Sequence, residues 1–254
     1  MSAAIPLKCL TVAARGRHSA TVIFVHGLGD SGHGWKPVVE MLAREPALHH
    51  VKWVLPNAPM MSVTGNMGAT MPSWFDIFSF GTFSPEDEPG MLKTSHSLNQ
   101  LISAEVDAGV SADHIVLGGF SQGGTMSLLT GLTSERKLAG IVVLSGWLPL
   151  KDKFKAMVND HVKKMPIFWG HGESDPMVKF PFATRSVVKR TFLVLVEYLK
   201  TQLKISDTDI PEPPAKPIGL SFHSYPGMQH STCEEELADL RKWLSSVVPQ
   251  TPDA

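Results

Sequence analysis

Cysteine is scarce in this chain of 254 residues: Cys9 and Cys233 stand near its two ends with no metal-type spacing. A disulfide framework is thereby excluded, and reduced thiols are expected. An excess of one charge is also lacking, since 23 Lys and Arg balance 24 Asp and Glu for a formal net charge of -1. Such a balance gives no general attraction for nucleic acid or for an anionic membrane. No apolar run approaches the ~20 residues of a membrane-spanning helix, and Met1 to Pro6 shows no basic stretch followed by an apolar one. The expectation is a cytoplasmic protein, with the nucleus and the membrane periphery as further places. H-E-x-x-H is absent, and His49 and His50 are sequence neighbours rather than residues on one helix face, so neither a catalytic metal nor a cofactor is expected.

What is present alternates. Apolar, β-branched runs occur at Thr21 to Val25, Val51 to Leu55, Ile115 to Leu117, Ile141 to Leu144, Ile167 to Trp169 and Leu220 to Tyr225. The first five are continuous rather than alternating, as strands covered on both faces are. Between them, Leu92, Ser95, Leu98, Leu101, Ile102 and Val106 follow a helical spacing, as do Leu237, Leu240, Trp243, Leu244, Val247 and Val248. Strands alternating with helices predict an α/β fold with a mostly parallel, doubly wound sheet. A single domain over 1–254, with its core over 20–248, accommodates all of it.

Two connections stand out. Residues 57–90 are rich in Met, Trp and Phe without a clean period, and are expected to form a lid-like loop that covers or lines an apolar site. Residues 204–218 hold Pro211, Pro213, Pro214 and Pro217 and are expected to be a surface excursion. Thr191 to Val196, just before it, is ambiguous between strand and helix; the spacing of Val188, Leu195, Leu199 and Leu203 predicts helix.

The strongest chemical signal is Gly119-Phe120-Ser121-Gln122-Gly123, which follows a strand-like run and opens a helix-like one. Glycines two before and two after a serine permit a sharp strand-to-helix turn that lifts the hydroxyl out of the sheet, making Ser121 the candidate nucleophile. A serine hydroxyl needs a base to take its proton, and the base needs a carboxylate to orient it. In this order of elements the acid and then the histidine follow on later strand ends. Gly170-His171-Gly172-Glu173-Ser174-Asp175 and Pro226-Gly227-Met228-Gln229-His230 occupy those places. Asp175 is the candidate acid, with Glu173 second, and His230 is the candidate base; His171 precedes the acid and reads as a turn residue. The oxyanion donors are expected to be the backbone amides of Gln122 and of Leu28, the latter in the glycine-rich His26-Gly27-Leu28-Gly29 turn. Phosphate binding is the competing reading of that turn, but the G-K-[ST] ending of a P-loop is missing.

These motifs resemble the acyl-protein thioesterase and lysophospholipase-like carboxylesterases of the α/β-hydrolase fold. The resemblance runs from about Ala20 to Trp243 through HGLGDSGHGW, PNAP, SWFDI, GFSQGG, LSGWLPL, HGESDPMV and YPGMQHSTCEEE. It implies the α/β-hydrolase fold without a separate cap domain, a triad at Ser121, Asp175 and His230, and an oxyanion hole at Leu28 and Gln122. It also implies release of palmitoyl-type groups from protein cysteines and hydrolysis of lysophospholipid or short acyl esters. Its partners would be acylated proteins or lipid and small-ester substrates, met by transient association at a membrane surface, with no nucleic acid. The 57–90 stretch resembles the family's acyl-channel loop, with Trp74 and Phe75 as expected acyl contacts. The connection from 177 to 220 is longer than the family's usual one, as in a plant-type branch; some relatives carry a reversible acyl group near their N-termini, but Cys9 reads as an unmodified thiol. Two other functions fit the same residues: a general small-ester carboxylesterase, and a non-catalytic ligand receptor on this fold, although the latter often lacks a triad member.

Overall fold

The computed structural model describes residues 6–79, 85–178, 198–206, 208–210, 216–248 and 250. The chain runs β1 (Cys9–Val12), β2 (Ala20–Val25), α1 (Gly32–Leu42), β3 (Val51–Pro56), β4 (Met60–Val63) and β5 (Ala69–Pro72). It continues through α2 (Glu88–Asp107), β6 (Ile115–Phe120), α3 (Gln122–Thr133), β7 (Gly140–Leu144) and α4 (Lys151–Met157). β8 (Ile167–Gly172), β9 (Leu220–Tyr225) and a C-terminal helix α5 (Glu234–Val247) follow. Among the described residues the main sheet has seven strands in the order β1-β3-β2-β6-β7-β8-β9. All its pairings are parallel except β1 with β3.

The continuous apolar strands serve two cores at once, because side chains alternate across the sheet. Ile23, Val25, Ile115, Leu117, Ile141, Val143, Ile167 and Trp169 enter one core with residues of α2, α3 and α4 such as Met91, Leu98, Leu128 and Phe154. Val22, Phe24, Val116, Val142, Leu144 and Phe168 enter the other, closed by Trp35 and Val39 of α1 and by Leu240, Trp243 and Val247 of α5. This is the doubly wound arrangement that the sequence predicts. The chain reverses direction across the sheet between β2 and β6, so the carboxyl ends of those two strands frame a switch point, the usual ligand crevice of such sheets.

Several elements depart from expectation. The 57–90 stretch is not all loop: β4 and β5 form an antiparallel hairpin. α2 buries Ser95, Leu98 and Ile102 of the expected face, but at its start Met91 rather than Leu92 turns inward, and Leu92 is 43% exposed. The 204–218 stretch is not wholly a surface excursion: Ile205 and Pro217 are buried, and the Ser206 carbonyl accepts the Leu220 N–H of β9 at 2.7 Å. Its Pro211, Pro213 and Pro214, like Thr191 to Val196, lie outside the described residues, whereas Leu199 and Leu203 are buried in the first core. No helix among the described residues is long and apolar enough to cross a membrane.

Glu236, in the first turn of α5, is buried, and among the described residues neither carboxyl oxygen has a hydrogen-bond partner. A helix N-terminus favours an anion by up to ~2 kcal/mol, yet burial wins here and pushes the carboxyl up to about 8 from 4.5. The folded state thus holds this proton more tightly than the unfolded one. Its contribution to stability is complete below the unfolded value and is lost as pH rises toward the folded one, by at most about 1.4 kcal/mol per pH unit. Thermal unfolding between pH 5 and 9 is expected to show Glu236→Gln gaining on the parent as pH rises, with the gap levelling above about pH 8. Parallel curves for the two proteins would refute a neutral buried carboxyl.

Candidate active site

Ser121 sits between β6 and α3 with φ 54 and ψ -120, a conformation rare for any residue with a side chain. The turn is tight because helix and strand nearly touch. A Cβ at Gly119 or Gly123 would collide with the Val25 carbonyl at the end of β2, so both positions require glycine. The Ser121 N–H donates to the Leu144 carbonyl at 2.8 Å, tying the elbow to β7. The hydroxyl is left at the carboxyl end of the sheet, beside the switch point.

Asp175 and His230 come from the loops after β8 and β9. Those loops are laced together by backbone bonds, Glu173 N–H to Tyr225 carbonyl at 3.1 Å and Ser174 N–H to Met228 carbonyl at 3.0 Å. His230 Nδ1 lies 2.7 Å from Asp175 Oδ2 and its Nε2 lies 2.9 Å from Ser121 Oγ. The other carboxylate oxygen of Asp175 accepts the N–H groups of Met177 and Val178 at 2.8 and 3.0 Å. Burial alone would push the Asp175 carboxyl up. The hydrogen bond from His230, attraction to the charge that ring carries once protonated, and the Met177 N–H outweigh burial and hold it below the ordinary carboxylate value. An ionised acid, a histidine and a serine hydroxyl therefore stand in one hydrogen-bonded line, the geometry for drawing a proton from the hydroxyl.

The remaining candidates sort cleanly. Glu173 is exposed and accepts from Ser224 Oγ at 2.8 Å, away from His230. His171 is buried with Nε2 3.4 Å from Asp175 Oδ2, and burial lowers its pKa, so it presents a neutral ring to the acid. Gln122 is the first residue of α3, where the backbone N–H has no acceptor within the helix. Leu28 lies in the turn after β2, and a Cβ on the adjoining Gly27 would lie 3.3 Å from Ser121 Cβ, so this turn abuts the hydroxyl-bearing residue. His49 and His50 are engaged with backbone carbonyls of Arg44 and Val248.

Trp74 and Phe75, expected to touch an acyl chain, are each only 2% exposed and belong to the first core. Their backbone is fastened to the Gln122 side chain: Oε1 accepts the Trp74 N–H at 3.1 Å and Nε2 donates to the Phe75 carbonyl at 2.9 Å. Both side chains thus lie in the core, Trp74 against the His26 ring and Phe75 against the Trp147 ring, with their backbone joined to the residue that follows Ser121. Sequence reasoning passed over Phe120, whose ring packs on His230 with centroids 4.8 Å apart. It is the unspecified position of G-x-S-x-G, which the spacing rule leaves open.

The family model for phospholipases and carboxylesterases matches residues 8–208. Acyl-protein thioesterase 1 of Cryptococcus neoformans is 48% identical, over 94% of this chain and 96% of its own length. The protein of the same name from Neurospora crassa is 41% identical, over 96% and 93%. Among solved structures, Zea mays acyl-protein thioesterase 2 superposes with a TM-score of 0.75 at 25% identity, covering 95% of this chain and 99% of that one. Arabidopsis thaliana SOBER1 gives 0.74 at 29% identity, over 91% and 99%. Sequence and architecture agree over nearly the whole length, and the chain belongs to the phospholipase/carboxylesterase family.

Proposed function

We propose that this protein is a serine hydrolase that cleaves acyl thioesters, of the S-palmitoyl type on protein cysteines, and carboxylic or lysophospholipid esters. The observation that carries the reading is the His230 ring bridging Ser121 Oγ and Asp175. The names of the fungal relatives support the thioester substrate.

His230 Nε2 takes the Ser121 proton as Oγ attacks the acyl carbonyl, and Asp175 keeps the Nδ1–H tautomer and offsets the imidazolium charge. The oxyanion forms against the backbone N–H groups of Leu28 and Gln122. Collapse expels a thiol or alcohol, which takes the proton from His230, and leaves an acyl-Ser121 ester. Water, activated by the same ring, then releases the fatty acid and restores the hydroxyl.

The test is a chain-length series of acyl thioesters and matched oxygen esters, comparing kcat/KM for the parent and Ser121→Ala at one pH. A Ser121-dependent preference for long acyl thioesters is expected. A Ser121-dependent preference for short oxygen esters would make the protein a general carboxylesterase, and ligand binding without turnover would make it a receptor. Asp175→Asn is expected to lower kcat by about 10²- to 10⁴-fold through a misoriented imidazole, whereas Glu173→Gln changes it by less than about twofold because its carboxylate faces Ser224. The reverse ranking in steady-state kinetics would reassign the acid.

A further inference from the structure

His26 directly follows β2 and is buried, yet no step of the proposed reaction uses it. Its two ring nitrogens are both engaged. Nε2 lies 3.0 Å from the backbone nitrogen of Ala58, which can only donate, so Nε2 is the unprotonated acceptor. The ring proton is therefore on Nδ1, which lies 2.7 Å from the Gly27 carbonyl and donates to it. Burial lowers the pKa of this ring, which keeps it neutral and in that tautomer near pH 7.

The Gly27 carbonyl belongs to the same planar peptide unit as the Leu28 N–H. In a trans peptide those two groups point in opposite directions, so fixing the carbonyl fixes the N–H. The Asp30 N–H also reaches this carbonyl, at 3.3 Å. The preceding peptide is held independently: Trp74 Nε1 donates to the His26 carbonyl at 2.8 Å, and the Trp74 and His26 rings pack with centroids 5.1 Å apart. Two successive peptide planes leading to the Leu28 N–H are thus each pinned by a side-chain donor, directly beside Ser121.

We infer that His26 is a positioning residue of the oxyanion hole, orienting the Gly27–Leu28 peptide through its Nδ1–H, with Trp74 securing the peptide before it. This rests on the proposed role of the Leu28 N–H. A donor aimed in advance acts only once charge develops on the carbonyl oxygen, so its misalignment lowers kcat while leaving ground-state binding intact.

The test compares the parent with His26→Phe, His26→Asn and Trp74→Phe. The phenyl ring keeps bulk without a donor. The Asn side-chain amide places a donor where Nδ1 stands. Active sites are counted by fluorophosphonate labelling of Ser121, and folding is followed by thermal unfolding. His26→Phe is expected to lower kcat per labelled site about 10- to 100-fold with KM within about twofold. A trifluoromethyl ketone, which adds to the serine and carries the oxyanion, is expected to bind more weakly by the same factor. His26→Asn is expected to restore most of both, and Trp74→Phe to show a smaller loss of the same kind. Parent-like kcat per labelled site in His26→Phe, a loss confined to KM or to thermal stability, or His26→Asn no better than His26→Phe would overturn the inference. If His26→Phe does not fold, His26→Asn and Trp74→Phe decide: weakened ketone binding at unchanged KM in Trp74→Phe together with near-parent His26→Asn supports it, and any other pair overturns it. A parent protein that takes no label at Ser121 would instead remove the hydrolase reading itself.

Discussion

The left-handed backbone at Ser121 is the constraint on which the rest of the site depends. A side-chain-bearing residue held there costs on the order of 1–3 kcal/mol, so the surroundings must over-determine it. They do so from three sides. The N–H is held by Leu144 of β7, the carbonyl accepts the Thr125 N–H in the first turn of α3, and the bare Gly119 and Gly123 let α3 sit against the end of β2. Helix α3 is buried along nearly its whole length, so relaxing the elbow would pull apart both strand and core. The strain holds one hydroxyl at the sheet's carboxyl edge, where the loops after β2, β8 and β9 also end.

The acid and base reach that hydroxyl by a related device, close contact between loops. A Cβ at Gly172 would collide with the carbonyls of Met228 and Gln229, so only glycine lets the β8 and β9 loops meet. Their backbone bonds then set the separation of Asp175 and His230 without help from long side chains. Electrostatics completes the arrangement. Asp175 is buried enough that desolvation favours its neutral form, but the hydrogen bonds from His230 and from two backbone N–H groups hold its carboxyl below the ordinary value. Glu236, close by in sequence to His230, shows the opposite outcome: it too is buried, has no hydrogen-bond partner among the described residues, and keeps its proton.

The central strands and the three aligned side chains were legible because each rests on a local rule. Continuous apolar runs mark buried parallel strands, flanking glycines mark the elbow, and the order of serine, acid and base follows from parallel topology. What was not legible depends on partners remote in sequence. Cys9–Val12 is a strand only because β3 offers it an edge, and Met60–Pro72 folds back as a hairpin despite irregular hydrophobicity. α1 escaped because its first turn, Gly32-His33-Gly34, reads as loop; Ser31 caps it. The burial of Trp74 and Phe75 was not legible because an aromatic pair in a loop has no period to mark it as core. Its burial follows from the Gln122 side chain, 47 and 48 residues away, which anchors that segment.

That anchoring also explains why a long polar side chain follows the nucleophile at the start of a buried helix. The Gln122 side-chain amide is fully buried, and leaving such a group unpaired costs about 1–3 kcal/mol. Here its oxygen and nitrogen are both satisfied by Ser73, Trp74 and Phe75. The Thr94 hydroxyl holds the Trp74 carbonyl from α2, and the Trp74 indole holds the His26 carbonyl from the other side. A continuous chain of hydrogen bonds therefore runs from the residue after Ser121, through the 73–75 segment, to the turn that carries Leu28. The two proposed oxyanion donors lie far apart in sequence but are braced against one segment, so a displacement of either must strain the other. Rigid bracing of this kind is what lets hydrogen-bond donors act on a developing charge without first reorganising.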